Sequence, residues 1–283
     1  MTEVMARVED LEIGRADFAI RGASFELRRG EVVGLVGLNG AGKTTIIRAL
    51  LGLEIPDAGR AELFGQPSGS VEGLARVGVA FDRPAAMPDW SVDSLGRRLS
   101  PFYPGWDEQR FVASRDRLGV PTARRIDHLS RGQGVKLALA VALAQSPELL
   151  ILDEPSSGLD PAARREVTAL IREFMQDPQH GVLFSTHITA DLDDLADTLV
   201  VIADGRVAQS GPLSDVVRSF AVVRGNGTPP PSGLIGLKRA DDGWVALARS
   251  HDSAGLGPEV VVDEASIDDL IIHLDDDAGA RIS

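Results

Sequence analysis

Over the first thirty residues apolar and polar positions alternate loosely, and residues 9–27 predict short strands at the edge of a sheet. The pattern then tightens. EVVGLVG (31–37) is a compact apolar run that predicts a buried strand, and residues 40–51 read as a turn entering a helix. LARVGVAF ends a further strand near Phe81. ELLILDEP has a wholly apolar body, as expected for a strand inside a parallel sheet, and GVLFST and TLVVIADG are further strands. VKLALAVALAQ is apolar nearly all round and predicts a buried helix. Asp160–Pro161 opens another helix, with the aspartate as N-cap and the proline at the first helical position. Strands alternating with helices imply βαβ units and a parallel sheet covered on both faces, here with an N-terminal antiparallel β edge.

Two stretches break this rhythm. From Arg83 to Arg125 prolines, tryptophans and helical segments dominate, which predicts an inserted helical subdomain over about 83–146. Near Arg224 the alternation stops, and RGNGTPPPSG is a linker by composition, placed at 221–233. Beyond it, PEVVVD and SIDDLIIHL predict a small α+β extension over 234–283. Its short helix would be capped by Ser266, with Asp269 three residues on. The main domain would therefore be 1–220. No internal repeat or heptad pattern is present.

Composition adds limits. A chain of 283 residues, 43% hydrophobic and 25% charged, is an ordinary globular protein with room for one large domain and a smaller one. With no cysteine, a disulfide framework and a thiolate metal site are both excluded. A formal net charge of −13 is a poor match for nucleic acid or anionic lipid, and the pairs Arg124–Arg125 and Arg164–Arg165 read as solvated helix faces. The start, MTEVMARVEDLEIG, is acidic and lacks the apolar run of a signal peptide. The uncharged, largely apolar stretch 137–147 is far below the ~20 residues that cross a bilayer. A cytoplasmic protein is expected, any membrane role coming through a partner.

The chemistry concentrates in three places. GLNGAGKT (37–44) fits G-x-x-x-x-G-K-[ST] between a strand and a helix. Gly37, Gly40 and Gly42 let the backbone curl so that its N–H groups, with those of Asn39 and Ala41, point inward at phosphate. The helix that follows adds its positive end. Lys43 should reach the outer phosphates, Thr44 should coordinate Mg2+, and Thr45 could touch an inner phosphate. This motif alone does not separate kinase, GTPase and ATPase. LLILDEPSSGLD places Asp153 and Glu154 at a strand tip. Asp153 can hold Mg2+ through water, and Glu154 can orient a water for in-line attack and accept its proton. The plain alternative makes both acids turn residues. LSRGQG (129–134) offers a hydroxyl, an amide and glycine N–H groups at the start of the apolar helix; on the residues alone, a simple helix cap explains it equally well.

In this order GLNGAGKTT, LSRGQ, LLILDEP, SSGLD and STH resemble the ATP-binding subunits of ABC transporters, over about residues 6–215. The resemblance implies an α/β P-loop NTPase fold, ATP with Mg2+, and two cassettes stacked head to tail. Ser130, Gly132 and Gln133 of one cassette would cap the γ-phosphate in the other's P-loop, and Asp160 would contact the partner. His187 would be the switch histidine, although alone it is a lone histidine at a strand end, a kind more often structural than catalytic. His128, His180, His251 and His273 match nothing, and no metal-ligand spacing emerges among them. The implied partners are a second ABC ATP-binding subunit, identical or not, and an integral membrane permease, with no nucleic acid. The chain would then sit at the inner face of the cell membrane. Two departures stand out. Asp82, in FDRP, replaces the usual glutamine and becomes a third candidate Mg2+ ligand. Where an aromatic ring normally stacks on adenine stands Ile13, with Phe18 nearby as a substitute.

Trp90, Phe102, Tyr103, Trp106 and Phe111 crowd one window of a chain only 5% aromatic. The resemblance implies that this region forms a groove for a permease helix, which aromatics suit; a local core under the helical subdomain explains them equally well, and single rings could serve either purpose. FYPGWD and Asp82 resemble a bacterial subgroup of exporter cassettes, and the tail resembles the C-terminal extension of some of them. The expected function is the ATP-hydrolysing subunit of a bacterial exporter. The rival from another class is a soluble ABC-type ATPase with a regulatory or nucleic-acid role; a P-loop kinase is opposed by the signature loop.

Overall fold

A computed structural model describes residues 3–15, 18–81, 86–193, 195–230, 232–240, 243–253, 255–257 and 259–280. It opens with a hairpin of long strands, β1 (Val4–Arg15) and β2 (Phe18–Arg28), where short edge strands were expected. Their pairing shifts register between Val8 and Leu11, where Asp10 adopts a φ of 47°. Such a bulge interrupts the period of two, and so the apolar signal, without ending the strand. The chain continues through β3 (Val32–Val36), α1 (Lys43–Leu50), β4 (Ala58–Leu63), β5 (Gln66–Pro67), the short α2 (Val71–Leu74) and β6 (Val77–Ala80). Three helices follow where the insertion was expected, α3 (Leu95–Leu99), α4 (Glu108–Arg117) and α5 (Arg131–Ala144). After them come β7 (Leu149–Asp153), α6 (Pro161–Phe174), β8 (Gly181–Thr186), β9 (Thr198–Ala203), β10 (Arg206–Pro212) and α7 (Leu213–Arg218).

The central sheet has the order β10-β9-β3-β8-β7-β6. Its strands β9, β3, β8, β7 and β6 run parallel, with β10 antiparallel at one edge. Alternate residues feed two apolar layers. Val33, Leu35, Ile151, Leu183 and Val200 face α1 and the antiparallel sheet β2-β1-β4-β5. Val32, Val36, Leu152, Phe184 and Val201 face α5 and α6. Burial on both sides is why these strands read as unbroken apolar runs. Because β3, β8 and β7 are neighbours, the loops after them meet at one end of the sheet, the usual place for a ligand in such folds.

The remaining elements are β11 (Phe220–Gly225), β12 (Ile235–Ala240), β13 (Gly243–Arg249), α8 (Ser250–Ser253), β14 (Val261–Glu264) and α9 (Ile267–Ala280). They form an antiparallel sheet, β12-β13-β11-β14, with α9 packed against β12, β13 and also β9. The linker expected at 221–233 is therefore a strand over its first residues. Arg224 and Gly225 pair with Val245 and Trp244, so backbone pairing overrides the turn-forming composition there. One face of this sheet, with Phe220, Val222 and Leu247, joins the main core; the other, with Val223, Trp244 and Ala246, carries a small cluster of its own.

Candidate functional site

The loop between β3 and α1 curls tightly. Gly42 precedes the helix at a φ of 112°, and a β-carbon there would lie 2.4 Å from Ile20 Cδ1 and 2.7 Å from Phe18 Cζ. Only glycine fits both the backbone and the space. Asn39 and Gly40 are exposed at the loop tip, while Ala41 is buried and donates its N–H to the Leu38 carbonyl at 3.1 Å. Lys43 is only 5% exposed; its Nζ donates to the carbonyls of Gly37 at 2.8 Å and Leu38 at 3.2 Å. Thr45 is half-buried in the first turn of α1.

Thr44 Oγ1 donates to Asp153 Oδ2 at 2.8 Å, so a hydroxyl from α1 and a carboxylate from the end of β7 converge. Ser185 Oγ donates to the other oxygen, Oδ1, at 2.7 Å. Ser185 was not among the expected site residues; it is placed by the register of β7 and β8, which sets Asp153 opposite Ser185. Among the described residues no cluster of three or more histidines and carboxylates could hold a metal. The oxygen pair Thr44 and Asp153 nonetheless suits Mg2+, a hard cation usually held by one or two carboxylates together with substrate phosphates and water. Asp82, the third expected ligand, lies outside the described residues.

Glu154 follows in the left-handed region, at a φ of 54°, a conformation that costs a non-glycine residue about 1–3 kcal/mol and is concentrated at functional sites. Its N–H is held by the Ser185 carbonyl at 3.0 Å. The backbone turn aims the carboxylate between two partners: Oε1 lies 3.5 Å from Lys43 Nζ, and Oε2 lies 2.6 Å from Nδ1 of the half-exposed His187. Thr44, Asp153 and Glu154 open onto a cleft of about 540 Å³ that Arg48, Leu53, Phe81 and Arg131 also line. Lysine, two carboxylates, a hydroxyl and an imidazole thus meet at the mouth of a phosphate-type loop.

The signature segment lies at the start of α5. Ser130 is exposed and caps the helix reciprocally: its Oγ accepts the Gln133 N–H at 3.2 Å, and Gln133 Oε1 accepts the Ser130 N–H at 3.0 Å. As an acceptor in this cap, the Ser130 hydroxyl still has a proton that it can donate. Gly132 packs on the loop after β7; a β-carbon there would lie 2.9 Å from the Gly158 carbonyl. Asp160 caps α6, taking the N–H groups of Ala162 and Ala163 at 2.9 Å, and these bonds, the Ala163 one foremost, hold its pKa below the usual carboxylate value. Its capping role is thus present as expected.

Ile13 is fully buried and cannot face adenine, whereas Phe18 is half-buried with its ring against the Gly42 loop. The aromatic window divides. Phe111 is buried, and Trp106 lies 5.3 Å from its ring and 6.2 Å from that of Tyr103, making a local core. Phe102 is 75% exposed and Met87 57% exposed, so these two remain available to a partner. His180 stacks on Phe174, and His273 is buried with Nδ1 2.6 Å from the Gly236 carbonyl; both have structural work.

The ABC transporter family profile matches residues 20–157. The chain is 34% identical over 226 residues to the nickel import ATP-binding protein NikO of Rhodobacter capsulatus, covering 73% of this chain and 88% of that protein. It is 34% identical over 204 residues to the Nod factor export ATP-binding protein I of Rhizobium sp., covering 68% of this chain and 65% of that one. An uncharacterized ABC transporter ATP-binding protein of Nostoc sp. is 31% identical over 208 residues, 71% of this chain and 62% of the relative. The chain thus spans less than two thirds of the Nostoc and Rhizobium proteins. A solved ATP-binding subunit of an ABC transporter superimposes with a TM-score of 0.65 at 28% identity, over 76% of this chain and 92% of that one.

Proposed function

The chain belongs to the ABC transporter ATP-binding proteins, and from that premise we propose that it hydrolyses ATP at a site shared between two cassettes and powers export through a separate membrane permease. Its cassette is an ATPase of that family. No helix among the described residues is long and apolar enough to cross a membrane.

The observation that carries the catalytic reading is Glu154, held between Lys43 and His187. Lys43 neutralises charge on the outer phosphates, reached across the N–H groups of residues 37–42. Thr44 and Asp153 would hold Mg2+, which when bound offsets the charge building between the β- and γ-phosphates. Glu154 takes the proton of the attacking water, and His187 fixes the carboxylate and donates toward the γ-phosphate. Ser130 of a second cassette, with its helix start and Gly132 and Gln133, closes the nucleotide from the other side. Asp160 stands beside that contact.

Glu154→Gln keeps size and hydrogen bonding but removes the base. Turnover should fall by about 10²–10⁴ while ATP still binds. Unchanged turnover would remove Glu154 from the mechanism. FYPGWD and the likeness to a Nod factor export protein favour export, while the likeness to a nickel import protein points the other way. Capture of the permease on the Glu154→Gln chain with ATP, followed by transport in vesicles of known orientation, decides the direction. ATP added on the cassette side should drive cargo away from that side.

A further inference from the structure

The C-terminal helix reaches the switch loop. Asp268 and Asp275 are seven residues apart on α9 and share a face of it. Asp268 Oδ1 accepts the hydroxyl of Thr189 at 2.9 Å, and Asp275 Oδ1 accepts the N–H of Asp204 at 3.3 Å. Thr189 is 8% exposed and lies two residues beyond His187. Thr186 Oγ1, just before the histidine, takes the N–H of Ile188 at 2.9 Å. The peptide that carries His187 is therefore pinned from β8 on one side and from α9 on the other. The helix is a firm anchor: Ile267, Leu270, Ile271 and Leu274 are buried in the same core as Leu192 and Leu195.

Asp268 is not needed to start its own helix. That task falls to Ser266 and Asp269, which exchange N–H bonds at 3.2 Å and 2.9 Å. The carboxylate of Asp268 is instead turned off the helix onto the switch segment.

We propose that Asp268 is a positioning residue for His187, setting the histidine against Glu154 through Thr189. The C-terminal extension thereby tunes turnover without touching nucleotide. This rests on the reading of His187 as the switch histidine.

The test is steady-state ATP hydrolysis by the full chain. Asp268→Ala should lower kcat about tenfold and leave the KM for ATP within about twofold, as expected for a small displacement of a catalytic group. Thr189→Val should do the same, and the double variant should be no worse than either single one, because both cut one bond. Asp268→Asn keeps an acceptor oxygen and should restore most of the rate. Asp275→Ala cuts a different tie of the same helix and should leave kcat unchanged. Wild-type turnover in Asp268→Ala overturns the proposal, as does a parallel loss of kcat and melting temperature in Asp268→Ala and Asp275→Ala. His187→Ala separates the two readings. If it is slow while Asp268→Ala is normal, only the positioning role fails; if it turns over normally, the switch assignment fails and takes this inference with it.

Discussion

Both oxygens of Asp153 are matched, Oδ2 by Thr44 and Oδ1 by Ser185, and the carboxylate is only 7% exposed. Removing one donor leaves a buried charge short of a partner. Ser185→Ala should therefore cost about 1–3 kcal/mol, visible as a lower melting temperature, and should weaken Mg2+-dependent ATP binding. A variant as stable as the wild type would show that Oδ1 needs no donor. Lys43, Thr44, Asp153 and Glu154 were candidates in the sequence because each sits in a short motif of fixed spacing, although Thr44 and Asp153 meet across 109 residues. Ser185 was not, because a serine in an apolar strand shows its purpose only when β8 is set beside β7. The same reason hid Thr189 and Asp268, which are 79 residues apart along the chain. At Ile13, where the sequence lacks the expected stacking ring, the side chain points into the core.

Among the elements, α5 is capped by Ser130, which on the proposed reading also contacts nucleotide, and the two duties can be separated. Ser130→Ala removes the cap and should cost about 0.5–2 kcal/mol. Ser130→Asn keeps a capping oxygen but has no hydroxyl to offer a neighbouring nucleotide. Asn should thus melt close to wild type yet hydrolyse ATP poorly. If Asn hydrolyses ATP as fast as Ser, the hydroxyl acts only as a cap. The strands β3, β7, β8 and β9 were legible because burial on both faces makes them continuously apolar. β1 was underestimated because its bulge at Asp10 breaks the alternation, and the start of the supposed linker was hidden because Arg224 and Gly225 are poor strand formers held by a partner strand. The helix α9 was expected to be short; it runs fourteen residues, through the aspartates at its end.

Across the whole molecule, Glu148 at the head of β7 ties the central sheet to the antiparallel one. It accepts from Arg76 at 2.6 and 2.8 Å and pairs with Arg29 at 3.0 Å, which in turn holds Glu3. These guanidinium groups, Arg76 foremost, bring its pKa down from 4.5 to about 2. A depressed carboxylate stabilises the fold above its unfolded value, and that contribution is lost as pH falls from 4.5 towards about 2. Arg76→Gln should flatten this part of the pH–stability curve, as read from urea melts; an unchanged slope would put the acid sensitivity elsewhere. The core itself is finished by α9, which covers β9. Ribosomes build a chain from its amino end, so the part of β9 that α9 packs against, and the core around Leu192 and Leu195, emerges with incomplete cover until α9 has been added. Nascent chains stalled before that point carry a bare greasy surface, and quality-control factors that hold such surfaces should cling to them until the last helix arrives.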